Sequence, residues 1–198
     1  MVGIEFLENS LFEPIELRMI KPSMFPVRYS EQKNSAEFSN LKSSIKDHGL
    51  LQPIVVRPIE HGFEIVAGHR RFCACKSLRW RFIPCKITEF SDKQSYEIQL
   101  TENLQRKSMD PIEEAEAYQK YVVDYGWGGV TDLAKKIGKS EEYVSHRMKL
   151  LKLPEDVKVK IATNNLSVSQ ASELINISPH INGKFIDYIT SNKLTIKQ

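Results

Sequence analysis

Two short strings in this chain hold residues whose types and spacing could do chemistry: Ala67-Gly68-His69-Arg70-Arg71-Phe72 and Thr101-Glu102-Asn103-Leu104-Gln105-Arg106. In the first, a glycine and two arginines stand between a strand pattern and a helix pattern. Glycine lets the backbone approach a ligand closely. The start of the following helix offers free N–H groups and the positive end of its dipole. Arginine adds forked donors that match phosphate oxygens. Between Glu64 and Glu89 every charge is basic: Arg70, Arg71, Lys76, Arg79, Arg81 and Lys86. The second string supplies a carboxylate, an amide and an arginine. Magnesium takes one or two protein oxygens alongside phosphate oxygens, so Glu102 and Asn103 suit it and Arg106 could reach the same phosphates. Each string also has a plainer reading, a solvated basic helix face for the first and a surface glutamate beside a helix-ending asparagine for the second.

A third feature lies some twenty-five residues further on. Thr131 to Ser140 followed by Glu141 to Leu151 fits helix, tight turn, helix, with Gly138 at the turn and Ser140 capping the second helix. Leu133, Ala134, Ile137, Val144, Met148 and Leu151 supply the packing between the pair. The outward positions then include Glu142, Tyr143, Ser145, His146, Arg147 and Lys149. Recognition helices read base edges from their N-terminal turns and touch phosphates with basic residues. A structural helix pair with a solvated face is the alternative. His146 has no partner at metal-ligand spacing and is expected to meet DNA or solvent.

The elements that must position these residues are legible in outline. Residues 1–34 are weakly patterned and broken by Pro14, Pro22 and Pro26, with Glu16 to Ile20 expected as a short strand. Ser35 is expected to cap a helix carrying Phe38, Leu41 and Ile45 and stopped by Gly49. Ile54 to Val56 and Phe63 to Val66 read as strands flanking a turn at His61-Gly62. Arg71 to Leu78 reads as a helix and Pro84 to Ile87 as a strand. From Ser91 the strand signals stop. Ser91 to Leu104 reads as helix, and Asp110-Pro111-Ile112-Glu113 is a strong helix start, with an acid at the cap and proline behind it. That helix should carry Ala115, Tyr118, Tyr121 and Val122 and end before Gly126. Short helices follow, with a break at Ser178-Pro179 before a last one. The fold class is therefore α+β: a small mixed N-terminal domain over residues 1–90, then an all-α domain over 91–198 with its helix-turn-helix near 131–152.

Composition sets the bounds. A chain of 198 residues, 41% hydrophobic and 27% charged, can bury a core as one large domain or a few small ones. A net charge of +3 means that attraction to nucleic acid must come from local clustering. No apolar run nears the roughly 20 residues of a membrane span, and Met1 to Asn9 carries acids where a secretion signal carries basic residues. Cys73, Cys75 and Cys85 are an odd number without metal-site spacing, which points to reduced thiols in a cytoplasm.

The strings, in this order, resemble the ParB family of chromosome and plasmid partition proteins. The resemblance runs from about Leu41 to Ser172. It takes in Gly49 to Arg57, Glu64 to Phe72, Glu102 to Arg106, Pro111 to Ala115, Ile137 to Ser145 and Leu150 to Pro154. It implies a protein that binds double-stranded DNA at a centromere-like site, binds CTP with Mg2+ in its N-terminal domain, closes as a dimeric sliding clamp and stimulates a ParA-type ATPase. The location implied is cytoplasmic, on the nucleoid or a plasmid. By motif, Gln52 would lie by the cytidine end. Gly68, His69, Arg70, Arg71 and Arg106 would meet the phosphates, Glu102 and Asn103 the magnesium, with Asn103 also counted in the nucleotide site. Glu102 would be the catalytic candidate of a weak CTPase making CDP and phosphate. Lys139, Ser140, Tyr143, Ser145, His146, Arg147 and Lys149 would form the DNA face, joined by Ser169 and Gln170 from the segment Ser167 to Ala171.

Three departures from the family pattern stand out. His69 replaces a usual glutamate, which keeps phosphate binding but puts CTP hydrolysis in question, and makes a phosphate contact pH-dependent. Lys107 follows Arg106 where the family commonly has an acid. The family also ends in a separate C-terminal dimerisation domain, so a chain stopping at Gln198 is expected to be truncated or a short member, without assured dimerisation. Two other classes remain open at this point. One is a sequence-specific DNA-binding regulator with a degenerate pocket. The other is an enzyme, because the N-terminal fold resembles sulfiredoxins and a small-molecule serine kinase, although the cysteines lie inside the helix rather than before His69.

Overall fold

The structure is a computed structural model that describes residues 10–23, 36–105 and 109–171. Packing divides the chain into two compact units, Met1–Glu102 and Asn103–Gln198. The first is a mixed α/β unit and the second is helical, as the α+β reading requires.

In the first unit, β1 (Leu11–Glu16), β2 (Ile20–Lys21), β3 (Ile54–Ile59), β4 (Gly62–Ala67) and β5 (Phe82–Ile87) form one sheet in the order β1-β5-β3-β4-β2. The hairpin β3–β4 is antiparallel, with Ile59 opposite Gly62 and Arg57 opposite Glu64. β5 runs parallel to β3 and antiparallel to β1. Gly62 holds φ 110, and a Cβ there would strike the carbonyl of Met19. The expected strand at Glu16 to Ile20 is corrected. The strand lies earlier, over Leu11–Glu16, and Leu17–Met19 is a 3-10 turn leading into the two residues of β2. Pro14 is tolerated because β1 is an edge strand, where a missing N–H costs no ladder bond.

Side chains alternate across the sheet. One face sends Ile54, Val56, Ile65, Ile83 and Cys85 into a core shared with Ile45 of α1 (Ala36–His48) and with Phe72 and Cys75 of α2 (His69–Ser77). Gly49, at φ 74, ends α1 as expected. The expected cap Ser35 lies outside the described residues. α2 begins two residues before the expected Arg71, because Gly68 itself serves as the N-cap. α3 (Asp92–Gln105) buries Tyr96 and Leu100 completely.

In the second unit, Asp110 caps α4 (Pro111–Gln119), accepting from the amides of Ile112 at 2.8 Å and Glu113 at 3.0 Å. The helix then widens into a π-helical turn over Lys120–Asp124. Next come α5 (Val130–Ile137), α6 (Glu141–Lys149), a 3-10 turn at Leu150–Lys152 and α7 (Glu155–Ala162). Helix resumes at residues 168–171. Leu150, Leu153, Val157, Ile161, Leu166 and Ala171 gather around Ile112 as an apolar core. The break at Ser178-Pro179 and the helix after it lie outside the described residues. No helix among the described residues is long and apolar enough to cross a membrane.

Candidate phosphate loop and nucleic-acid interface

In the sheet unit, β4 ends at Ala67 and the chain turns into α2 through Gly68 at φ 94, a region L side chains avoid. A Cβ on Gly68 would lie 3.0 Å from Ile54 Cγ2 and 3.2 Å from Arg71 Nη2. No side chain caps the first turn of α2, so its leading amides keep their capacity to donate. The arginines of that turn are already engaged. Arg71 Nη1 donates to the carbonyls of Gln52 at 2.8 Å and Pro53 at 2.9 Å, fastening the loop before β3 to the helix start. Arg70 Nη1 lies 3.3 Å from Glu37 Oε2 of α1. His69 Nε2 lies 3.5 Å from Cys73 Sγ, one helical turn on.

Thus the structure draws Gln52, Gly68, His69, Arg70 and Arg71 into one neighbourhood. Gln52 takes part through its backbone, and its side chain stands among exposed residues. Glu102 and Asn103 are half-buried in the last turns of α3. Arg106 and Lys107 lie outside the described residues.

Sequence reasoning missed a buried charge pair in the β3–β4 hairpin. Glu64 is fully buried and Arg57 nearly so, and the Arg57 Nε–Glu64 Oε2 distance is 2.5 Å. Arg57 also reaches Asp92 Oδ1 at 2.6 Å and donates to the Phe90 carbonyl at 3.0 Å. One guanidinium thereby ties the hairpin to the first residue of α3. The signal depended on register: pairing Ile59 with Gly62 sets these opposite charges directly across from each other, whereas a two-residue turn at His61-Gly62 would set Arg57 across from Val66.

In the helical unit, Gly138 at φ 69 makes the turn between α5 and α6, and the Lys139 amide bonds the Ala134 carbonyl at 3.0 Å. Ser140 caps α6, its Oγ accepting from the Tyr143 amide at 3.1 Å. Leu133, Ala134 and Val144 are buried between the pair, with Ile137, Met148 and Leu151 half-buried. Lys139, His146 and Lys149 are exposed, and Ser145 is half-buried. His146 Nε2 stands 3.9 Å from Glu142 Oε1. Ser169 is exposed, while Gln170 accepts from Ser167 Oγ at 2.7 Å and so closes the next helix start.

Tyr143 and Arg147 turn the other way, toward α4. Glu114 Oε2 accepts from Arg147 Nε at 3.0 Å and from the Tyr143 hydroxyl at 3.2 Å, and Oε1 accepts from Tyr118 at 2.5 Å. Arg147 Nη2 donates to the Tyr143 hydroxyl at 3.0 Å. Burial, then the hydrogen bond to Glu114 and its charge, push the Tyr118 phenol well above its ordinary range. Burial does the same more mildly at Tyr143, against the lowering influence of Arg147. In the sequence Glu114 stood only as one residue of the Pro111 to Ala115 stretch, with no role attached.

A mixed-sheet unit with an uncapped, glycine-opened helix start, joined to a helix-turn-helix unit, has the build of a two-part DNA-binding protein. The ParB N-terminal domain matches residues 5–104 and the ParB HTH domain residues 107–198. The chain belongs to the ParB family. Among its relatives, the nucleoid occlusion protein of Halalkalibacterium halodurans is 35% identical over 185 residues, covering 93% of this chain and 64% of that protein. That of Bacillus thuringiensis is 33% identical over 198 residues, covering 98% and 68%. The chain spans 62–64% of the length of the first three such relatives. Among solved structures, the C-terminally truncated chromosome-partitioning protein ParB from Caulobacter crescentus, complexed to the centromeric parS site, is 25% identical. It shares the fold at a TM-score of 0.70 over 93% of this chain and 95% of that one.

Proposed function

We propose that this chain is a DNA-segregation or nucleoid-occlusion protein of the cytoplasm, associated with nucleoid or plasmid DNA. It binds a centromere-like site in double-stranded DNA through α6 and closes as a CTP-controlled dimeric clamp, acting with a ParA-type ATPase. The observation that carries the DNA reading is the α5–Gly138–α6 turn with its Ser140 cap. It presents Ser145, His146 and Lys149 on one side of a helix, in a chain that shares its fold with a parS-bound ParB. Lys139, Ser169 and Gln170 are the flanking candidates for the same DNA face.

The first turn of α2 fits the phosphates of CTP, with its uncapped amides, Gly68 at φ 94, and Arg70 and Arg71 beside it. Glu102 and Asn103 offer oxygen donors of the kind Mg2+ takes; the ion, when bound, would offset phosphate charge. Gln52 and Arg106 complete the set by motif. His69 donates to an anion only when its ring carries the right proton, so binding stands ahead of hydrolysis in this reading, with Glu102 as the candidate for any residual CTPase. DNA binding without nucleotide control is the second reading. It is favoured by the pairing of Arg70 with Glu37 at 3.3 Å, which a nucleotide would have to displace.

Calorimetry with CTP, ATP, GTP and UTP in the presence of magnesium, on the chain and on Arg70→Ala, tests the pocket. Selective CTP binding that the variant loses is expected. A folded chain that binds no nucleotide would refute the clamp and leave the DNA reader.

A further inference from the structure

We propose that Glu114 is the positioning residue of the DNA-reading helix α6, and that by engaging Arg147 it keeps this guanidinium out of the phosphate-binding charge. The inference rests on the DNA reading above.

Glu114 is 6% exposed and sits in α4, not in the helix-turn-helix itself. Three donors converge on its carboxylate, and two of them, Tyr143 and Arg147, are one turn apart on α6. A carboxylate that accepts from two successive turns fixes both the rotation and the axial position of a helix, which one contact cannot do. The Tyr143 ring also carries two cations, Lys139 Nζ 5.2 Å and Arg147 Cζ 5.0 Å from its centre. Tyr143 lies in the first half of α6 and Lys139 just before it, where recognition helices meet base edges.

The arrangement also consumes Arg147. Its side chain is 16% exposed, Nε and Nη2 are spent on Glu114 and Tyr143, and Nη1 is buried without a hydrogen-bond partner. An arginine held this way adds no phosphate contact, so sequence reading by α6 rests on Ser145, His146 and Lys149. Freed from Glu114, the same guanidinium would reach solvent and any nearby phosphate, adding affinity that is blind to sequence.

The test uses fluorescence anisotropy with two duplexes of equal length, one bearing a parS site and one scrambled, across a salt series. The proteins are the chain, Glu114→Gln, Arg147→Met and the double variant, each checked for folding by circular dichroism at the assay temperature. Glu114→Gln should lower the preference for the site by about tenfold or more, the scale of one displaced base contact. Its salt slope on scrambled DNA should steepen by about 0.9, one additional phosphate. Arg147→Met should leave the wild-type slope unchanged, and the double variant should recover much of the preference lost by Glu114→Gln. The slope is decisive, because a purely structural defect would not add a phosphate contact. A Glu114→Gln protein with wild-type preference and slope overturns the proposal, as does an Arg147→Met protein whose slope is shallower by about one phosphate. Should Glu114→Gln fail to fold, the Arg147→Met slope alone supports or overturns the pairing. A wild-type chain with no preference for the site refutes the DNA reading, and Arg147→Met on scrambled DNA still tests the pairing.

Discussion

Replacing Glu64 by leucine removes the acid from a buried pair while keeping its volume. Glu64 is fully buried and Arg57 is 5% exposed, so the variant leaves a guanidinium inside the unit without its main counter-charge. Cutting one partner of such a pair costs about 3–5 kcal/mol. The lower end applies here, because Arg57 keeps the Phe90 carbonyl at 3.0 Å and Asp92 at 2.6 Å, the latter 52% exposed and so screened by water. Urea unfolding of the full chain should therefore show the midpoint of the sheet unit falling by about 1–3 M. Trp80, packed at the sheet core, reports that unit, and a Trp127→Phe background silences the tryptophan of the helical unit. The double variant Arg57→Met with Glu64→Leu should regain most of the loss, since it buries no charge and gives up only the bond to the Phe90 carbonyl and the pairing with exposed Asp92. A single variant that costs under about 1 kcal/mol, or a double variant no more stable than the single, would refute the claim that pairing rather than packing holds this site.

Three further outcomes follow from the structure. Gly68→Ala forces a side chain into φ 94 with its Cβ 3.0 Å from Ile54 Cγ2, a strain of about 1–3 kcal/mol. Calorimetry should find nucleotide binding lost while anisotropy finds DNA binding kept, and unchanged nucleotide binding would count against the first turn of α2 as the phosphate site. Burial pushes the thiols of Cys75 and Cys85 up to about 11 from the ordinary 9.0 that the unfolded chain keeps. Between those values the native chain holds more protons than the unfolded one, so stability present below about pH 9 should drain away as pH rises toward 11. The urea midpoint should fall across that window, and less steeply in a Cys75→Ala, Cys85→Ala protein. Ellman's reagent at pH 8 should find only half-buried Cys73 in the native chain, and rapid labelling of all three cysteines would contradict the burial.

Wherever one residue type is forced by local geometry, the sequence was legible. Gly138 and Ser140 announced the turn and cap of the helix-turn-helix, and Asp110-Pro111 announced α4, because these positions answer to backbone sterics and orphan amides alone. β1 was misplaced because Pro14 looked like a breaker, and only the sheet order shows that its strand is an edge. The widening of α4 at Lys120–Asp124 left no mark, since its residues keep an ordinary helical pattern. The candidate phosphate loop was readable as far as its residue types. That Arg71 spends Nη1 on the carbonyls of Gln52 and Pro53 was not, because a loop nineteen residues away in sequence supplies the acceptor.

Three arginines among the described residues position the chain. Arg57 joins the hairpin to α3, Arg71 fastens the loop before β3, and Arg147 holds α6 against α4. Their planar, multi-donor heads suit them to this, since one residue can bond several acceptors at fixed angles. Lysine, a flexible point charge, is left to supply the field. Lys135, Lys136, Lys139, Lys149 and Lys152 are all exposed on or next to the helix-turn-helix. With a net charge of only +3 on the chain, a local cluster of this kind is what attraction to a phosphate backbone requires. The division predicts that removing these lysines lowers DNA affinity and the salt slope together, whereas removing Arg147 acts first on the shape that α6 presents.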